Sequence, residues 1–408
     1  MTPLRTCRVC QGSVRQVLDL GRQPSANAFL PPAAVADEVF FHLAAGVCET
    51  CTLLQLMDET PSGLRYRDSY RYEASGSKGA QAHFARVAEH FLAEELTGKD
   101  AFIVEIGCND GVMLDSVARA GVRHLGVEPA KGVAKLAEAR GVTITNEFFG
   151  PSSAVDIRQL HGAADVIYGA NTICSIADIT GLMRGVNTLL SADGIFVFEE
   201  PYAGTVVTGR AFDQIYDEHV FYFSVRSVMV MAERFGFELV DVDHVAQHGG
   251  ELRYTLARTG VRTPSPMVEK QRRVEMEADL TDSDMLQRWS TAVHDTRNDL
   301  VALLRGLRAD GRRIAGYGAP AKATTVTNFC GIGPELLPFV CDSTPGKQGR
   351  LMPGSHIPIV SPDAFRDEYP EYVVLFAWNH ADEIIAKEQA FRDLGNKWIL
   401  YVPDVRII

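Results

Sequence analysis

The sequence predicts an α/β protein in which a small cysteine-bearing lobe precedes two doubly wound, Rossmann-like units. Three observations carry this prediction. Two CxxC pairs, Cys7/Cys10 and Cys48/Cys51, fall in a turn-rich opening segment. From about residue 79 to 260, apolar strand-like runs alternate with helical patterns, the signature of βαβ units and a parallel sheet. A second βα pattern begins at residue 313, after a charged helical stretch over 265–312. The expected domains are therefore 1–78, 79–260 and 261–408.

Bulk properties agree. At roughly 150 residues per domain, 408 residues suit two or three domains. Forty Lys+Arg against 52 Asp+Glu leave a net charge of −12, with no general pull toward nucleic acid or anionic membrane. At 46% hydrophobic and 23% charged residues, the chain can bury real cores and is not disordered. No run approaches the ~20 apolar residues that span a bilayer. The opening MTPLRTCRVC lacks the apolar run of a secretory signal. A cytoplasmic protein with reduced or metal-bound thiols is therefore expected.

In the middle unit FIVEIG (102–107), HLGVEP (124–129), DVIYGAN (165–171) and GIFVFEEP (194–201) read as strands. VAKLAEARG and ITGLMRGVNTLL read as helices between them, and ELVDVDHV (238–245) and ELRYTLAR (251–258) as closing strands. In the last unit RIAGYGA, FVCD, VVLFAW and WILYVP play the strand role. No repeat of fixed period is present.

Each CxxC pair can give two thiolates to one tetrahedral ion, so Cys7, Cys10, Cys48 and Cys51 are expected to hold zinc. The 37 residues between the pairs exceed ordinary ribbon spacing and must fold outward as a lobe. A four-thiolate set leaves no open position, which points to a structural ion contributing on the order of 10 kcal/mol to folding. Cys108, Cys174, Cys330 and Cys341 lie in apolar runs and read as buried thiols.

VEIGCNDGVML places Glu105, Gly107, Asn109 and Gly111 after a strand and before a helix, with glycines that let backbone approach a ligand. Glu128, 17 residues past Gly111, is at the end of the next strand, where a carboxylate can take both hydroxyls of a ribose. Asn171 ends a further strand at the same carboxyl edge, and Phe148 and Phe149 could flank an adenine. The ordered set resembles the class I S-adenosylmethionine (SAM) methyltransferase fold. FDQIYDEHVFYFS then groups Asp213, Tyr216, Asp217, Glu218 and His219. A histidine near neutral pKa suits general base work, about 10²–10⁴ in rate. QHGGELRY forms a second polar group with His248, Glu251 and Arg253.

The chain as a whole resembles the zinc-containing, SAM-dependent deoxysugar C-methyltransferases. The resemblance rests on CRVC…CETC, SYRYEASGS, VEIGCNDG, ANTIC, FDQIYDEH, HGGELRYTLAR, GYGAPAKATTVTNFCGIG and FAWNHADEI. It implies a zinc-bearing lobe, a SAM domain, and a second Rossmann-like domain holding a dTDP-linked 4-keto sugar methylated beside its ketone, in deoxysugar and antibiotic biosynthesis. By resemblance His219 is the base, with Tyr216, Glu218 and Tyr70 at the sugar. His248, Arg253, Gly316, Gly318, Lys322 and Asn379 would meet the substrate. Gly316 and Gly318 would give a tight turn, with Lys322 just beyond at a phosphate-favouring helix start. In ANTICSI the family usually carries a histidine where this chain has Ser175, a hydroxyl without charge. A keto-sugar epimerase or isomerase that has lost methyl transfer is therefore the competing expectation. Oligomeric state stays open, a monomer included.

Overall fold

The computed structural model describes residues 5–58, 73–246, 249–280 and 282–408, and within them three sheets follow one another. The first begins as an antiparallel meander of β1 (Val14–Pro24), β2 (Phe40–Cys48) and β3 (Leu54–Leu56). Register shifts between Gln16 and Leu18 and between Asp19 and Arg22 interrupt the β1–β2 pairing. Such bulges break the two-residue alternation, which is why so long a strand reads as turn-rich in sequence.

The central sheet contains β4 (Phe102–Ile106), β5 (Arg123–Val127), β6 (Ile144–Thr145), β7 (Ala164–Ala170) and β8 (Leu190–Pro201), all parallel to one another. The two-residue β9 (Phe221–Tyr222) leaves this unit and pairs with β3, Leu54 opposite Tyr222. β10 (Phe237–Val245) and β11 (Glu251–Arg258) return to the central sheet. Its order is β10-β11-β8-β7-β4-β5-β6, with β11 antiparallel to both neighbours. The order reverses between β4 and β7, and ligands of open α/β sheets bind at the carboxyl ends beside such a reversal.

Two helices, Pro266–Glu277 and Ser283–Ala309, follow where the charged stretch predicts them. The longer one buries Leu286, Trp289, Val293, Leu300 and Leu304 as one stripe. The third sheet is built from β12 (Ile314–Tyr317), β13 (Val340–Cys341), β14 (Ile359–Val360), β15 (Tyr372–Leu375), β16 (Lys397–Leu400) and β17 (Arg406–Ile407). Its order is β14-β13-β12-β15-β16-β17, parallel except for β17, and it reverses between β12 and β15. One buried apolar cluster runs through all three sheets and includes Leu43, Phe198, Leu300 and Val374. The core is shared, so no sheet is closed off by itself. Among the described residues no helix is long and apolar enough to cross a membrane.

The glycines of the β4 turn serve chain packing first. Gly107 has φ +70 and a Cβ there would collide with the Thr172 side chain. Gly111 has φ +75 and its Cβ would lie 2.9 Å from Ala137 Cβ in the helix Lys131–Ala139. Both the left-handed backbone and the contact oppose a side chain, so Gly111→Ala should cost about 1–3 kcal/mol. Urea unfolding of the purified variant should show the midpoint moving down by that amount, and an unchanged midpoint would contradict the packing argument.

Candidate active site

The turn after β4 is cradled from two sides. The Glu128 carboxylate at the end of β5 accepts the Asn109 N–H at 3.0 Å and the Ala130 N–H at 2.8 Å. Asp110 accepts the Ser75 hydroxyl and N–H and faces Arg140 at 3.1 Å, while Ala74 N–H donates to Asn109 Oδ1 at 2.9 Å. Residues 74 and 75, just before the helix Lys78–Glu94, therefore lie against the turn. Glu105 is buried, and its Oε2 has no hydrogen-bond partner among the described residues. Burial, then the charges of Asp110, Glu128 and Glu199, push its carboxyl well above the usual range.

At the ends of β7 and β8 two glutamates are used differently. Glu199 is gripped by His83 Nε2 at 2.6 Å and by the Arg253 Nε at 2.7 Å. Burial raises Glu199, but the His83 bond and the Arg253 charge outweigh it and leave the carboxyl below its ordinary value. Glu200 Oε1 accepts the Thr172 and Ile173 N–H groups at 3.1 and 2.6 Å, fixing the single turn Ile173–Ser175. Burial pushes Glu200 up to about 8 in spite of these bonds. Asn171, with φ +52, donates its N–H to Glu199 O at 2.8 Å.

The segment FDQIYDEH is tied to this edge where Val220 N–H donates to Cys174 O at 2.8 Å. That bond brings the strip carrying Ser175, which is buried, alongside the strip carrying His219. His219 is 8% exposed, and its Nε2 lies 2.7 Å from the Tyr216 hydroxyl, the ring centroids 4.2 Å apart. Its two acidic neighbours are held by the N-terminal lobe. Asp217 accepts Ser25 Oγ and the Ala26 N–H, both at 2.9 Å, and Glu218 accepts Asn27 Nδ2 at 2.8 Å. Asp213 accepts Trp378 Nε1 at 2.7 Å and the Tyr401 hydroxyl at 2.6 Å.

The C-terminal domain brings a similar cradle. Gly318, with φ +83, makes the turn after β12, and Ala319 N–H donates to Asp342 at 2.6 Å as Asn109 N–H does to Glu128. Gly316 is not part of that turn: it lies inside β12, where its missing side chain makes room for Phe376. Lys322, in the first turn of the helix Ala321–Cys330, donates to Asn379 Oδ1 at 3.0 Å and lies 4.6 Å over the Trp378 ring. Burial pulls its amine down, against the nearby charges of Asp213 and Glu251. Lys347 Nζ donates to Ala319 O at 2.8 Å and lies over Phe29.

Cys7, Cys10, Cys48 and Cys51 form the one His/Cys/Asp/Glu group among the described residues that could hold a metal, all sulfurs within 4.8 Å. Cys7 and Cys51 sulfurs are 3.6 Å apart, Cys10 and Cys48 3.4 Å. A tetrahedron with Zn–S of about 2.3 Å needs edges of about 3.8 Å. Each CxxC is followed by a left-handed residue, Gln11 (φ +64) and Thr52 (φ +67), and the Val9, Gly12 and Thr50 N–H groups point at sulfur at 3.4 Å.

Several expectations need adjusting. Phe148 is 60% exposed, but Phe149 is 8% exposed and packs against Gly185 in the core, so the two rings do not share an environment. Arg253, expected at the substrate, is held as the counter-ion of Glu199. Tyr70 and His248 lie outside the described residues. Sequence reasoning passed over Asn27, Asp342 and the His83–Glu199 pair. Asp342 carried a signal, since it ends the second strand of its unit as Glu128 does.

Three family models match the chain in series. A model described as a candidate zinc binding domain covers residues 7–66, a methyltransferase domain 80–242, and a C-methyltransferase C-terminal domain 246–403. The C-methyltransferase NovU of Streptomyces niveus is 33% identical over 410 residues, covering 100% of this chain and 97% of NovU. This chain belongs to that C-methyltransferase family. Among solved structures, a SAM-dependent methyltransferase from Anabaena variabilis is 14% identical over 44% of this chain and 85% of its own, with a TM-score of 0.36. Magnesium protoporphyrin IX methyltransferase from Synechocystis is 13% identical over 44% and 84%, with a TM-score of 0.34.

The C-methyltransferase is SAM-dependent, and its residues fit that cofactor. SAM carries two cationic groups, and the β4–β7 reversal offers the unpartnered Glu105 oxygen and the Glu128 carboxylate at one edge. The folded-state value of Glu200 is raised above the ordinary 4.5 to about 8, so its contribution to stability is full below 4.5 and is lost as pH rises through 8. Glu200→Gln should flatten that part of the stability–pH curve. Denaturant titrations of both proteins at pH 5, 6.5 and 8 measure the slope directly.

Proposed function

We infer that this C-methyltransferase methylates carbon, at C-3', next to the ketone of a dTDP-linked 4-keto deoxysugar. The observation carrying this reading is the His219 site: a buried imidazole bonded to Tyr216, in a segment bonded to the N-terminal lobe, the central unit and the C-terminal domain. Proton abstraction from carbon is demanding, and it needs a base held in place and shielded from water.

In this reading, His219 takes the proton from the carbon beside the ketone, whose electron pair spreads onto the ketone oxygen. Tyr216, 2.7 Å from Nε2, orients the ring and shares its proton. Glu218, fixed by Asn27, lines the sugar, and Ser175 supplies a neutral hydroxyl. Glu105, Asn109, Glu128 and Asn171 hold SAM, with the Gly107–Gly111 turn beneath it and Phe148 beside the adenine. SAM supplies an electrophilic methyl group on its sulfonium. The C-terminal domain holds the nucleotide through the Gly318 turn, Lys322 and Asn379, with Asp342 placed for the ribose. Zinc in the four-cysteine site has a structural role. The domains are 1–78, 79–260 and 261–408, and the enzyme acts in the cytoplasm on a soluble nucleotide sugar in deoxysugar and antibiotic biosynthesis.

His219→Asn should lower kcat by about 10²–10⁴ on a panel of dTDP-4-keto sugars. S-adenosylhomocysteine affinity, read by calorimetry, should be unchanged. Near-normal turnover in that variant would remove His219 from the role. Elemental analysis should find one zinc per chain. A strong chelator should release it and lower the unfolding temperature of the whole chain, because β9 joins the zinc lobe to the central unit. A metal-free protein of unchanged stability would rule out a structural ion.

A further inference from the structure

Glu251 opens β11 directly after the Gly249–Gly250 turn. Both glycines have positive φ, +96 and +112. A Cβ on Gly249 would lie 2.6 Å from the Trp378 ring and 3.3 Å from the Gln214 amide. The turn is therefore wedged where the FDQIYDEH segment meets the C-terminal domain. Pairing of Glu251 with Pro201 and Arg253 with Glu199 puts Glu251 on the sheet face of Arg253, one step nearer the carboxyl edge of β8.

Glu251 is 1% exposed, and neither carboxyl oxygen has a hydrogen-bond partner among the described residues. The nearest cation on its own strand, Arg253, is committed to Glu199. The Asn171 side chain, beside the carboxyl but outside good hydrogen-bond geometry, and the Lys322 charge favour the anion, but the Lys322 amine donates to Asn379. A buried carboxyl with two unused oxygens is costly, and a ligand group that completes it removes the cost. Burial and the charges of Glu199 and Glu200 raise Glu251 well above the usual carboxyl range, which favours its protonated, O–H form.

We propose that Glu251 is a catalytic residue, donating its carboxyl O–H to the oxygen of the substrate ketone and of the enolate formed from it. The proposal rests on the keto-sugar reading above. The carbon-bound proton goes to His219, and the C–H electron pair becomes the enolate π bond with charge on oxygen. Glu251 shares its proton with that oxygen and keeps it throughout. When the carbon attacks the methyl group, the same electron pair forms the new C–C bond, the S–CH3 pair stays on sulfur so that S-adenosylhomocysteine leaves, and the carbonyl returns. A neutral carboxylic acid in a dry site is a strong donor to an oxyanion, as in the protonated aspartic acid of ketosteroid isomerase. Ser175 alone offers only a hydroxyl.

The experiment compares Glu251→Leu and Glu251→Gln in the full chain. It reads methyl transfer to dTDP-4-keto sugars, deuterium wash-in at the sugar carbon without SAM, and S-adenosylhomocysteine binding. Leu removes the donor and should lower both transfer and wash-in more than a hundredfold, with binding within threefold. Gln keeps an N–H donor and should retain at least a tenth of the turnover. The wild-type alkaline limb, set by this carboxyl among Glu199, Glu200 and Lys322, should be absent in Gln. A Leu variant within fivefold of wild type overturns the proposal, and so does equal loss in both variants. If Leu does not fold, an unchanged alkaline limb in Gln overturns it. Wild-type protein with neither wash-in nor transfer on any keto sugar brings down the substrate reading, and the proposal with it. Wash-in lost in His219→Asn but intact in Glu251→Leu brings down Glu251 alone.

Discussion

Asp217 is the knot on which the site depends. Its buried carboxylate takes the Ser25 hydroxyl and the Ala26 N–H from the N-terminal lobe, while Thr324 of the C-terminal domain donates its hydroxyl to Ala26 O at 2.9 Å. Thr325, next along the same helix, donates to Ile215 O at 2.9 Å. Three remote stretches of chain thus meet within a few residues of His219. A buried carboxylate deprived of such partners is strongly unfavourable, so each stretch is held by the needs of the others. The imidazole inherits its position from this lacing.

A second theme is the number of acids at the central sheet's carboxyl edge and the different ways they are tolerated. Glu199 stays ionised because His83 and Arg253 surround it. Burial raises Glu128, and two backbone N–H groups work against that rise. Glu105 and Glu251 have unpartnered oxygens and are pushed toward the neutral form by burial and by one another's neighbours. One edge therefore presents both charged and uncharged carboxyls, sorted by counter-ion. A cationic cofactor and a developing oxyanion ask for those two states.

Much of this was legible in the sequence where signals are local. The CxxC pairs, the β4 turn with Glu105, Gly107 and Gly111, and the strand runs ending in Glu128 and Asn171 are short-range patterns, and the structure places them as read. What was not legible depends on long-range partners. Asn27 lies 191 residues from the Glu218 it holds, with nothing in its own neighbourhood to mark it. β9 is two residues long and has no period to detect. Arg253 reads as a free cation until Glu199 is found opposite it across two strands. Phe149 looks like half of an aromatic pair until the chain turns it into the core.

The pairing of β3 with β9 has a consequence for how the chain is made. Leu54 leaves the ribosome long before Tyr222, so the N-terminal meander is born with one edge unmet. An open strand edge invites pairing with other chains. The four sulfurs, all contributed before residue 52, can close around an ion during that interval and keep the meander in register. The nascent lobe would thus wait in shape, metal-clamped, for a strand not yet translated.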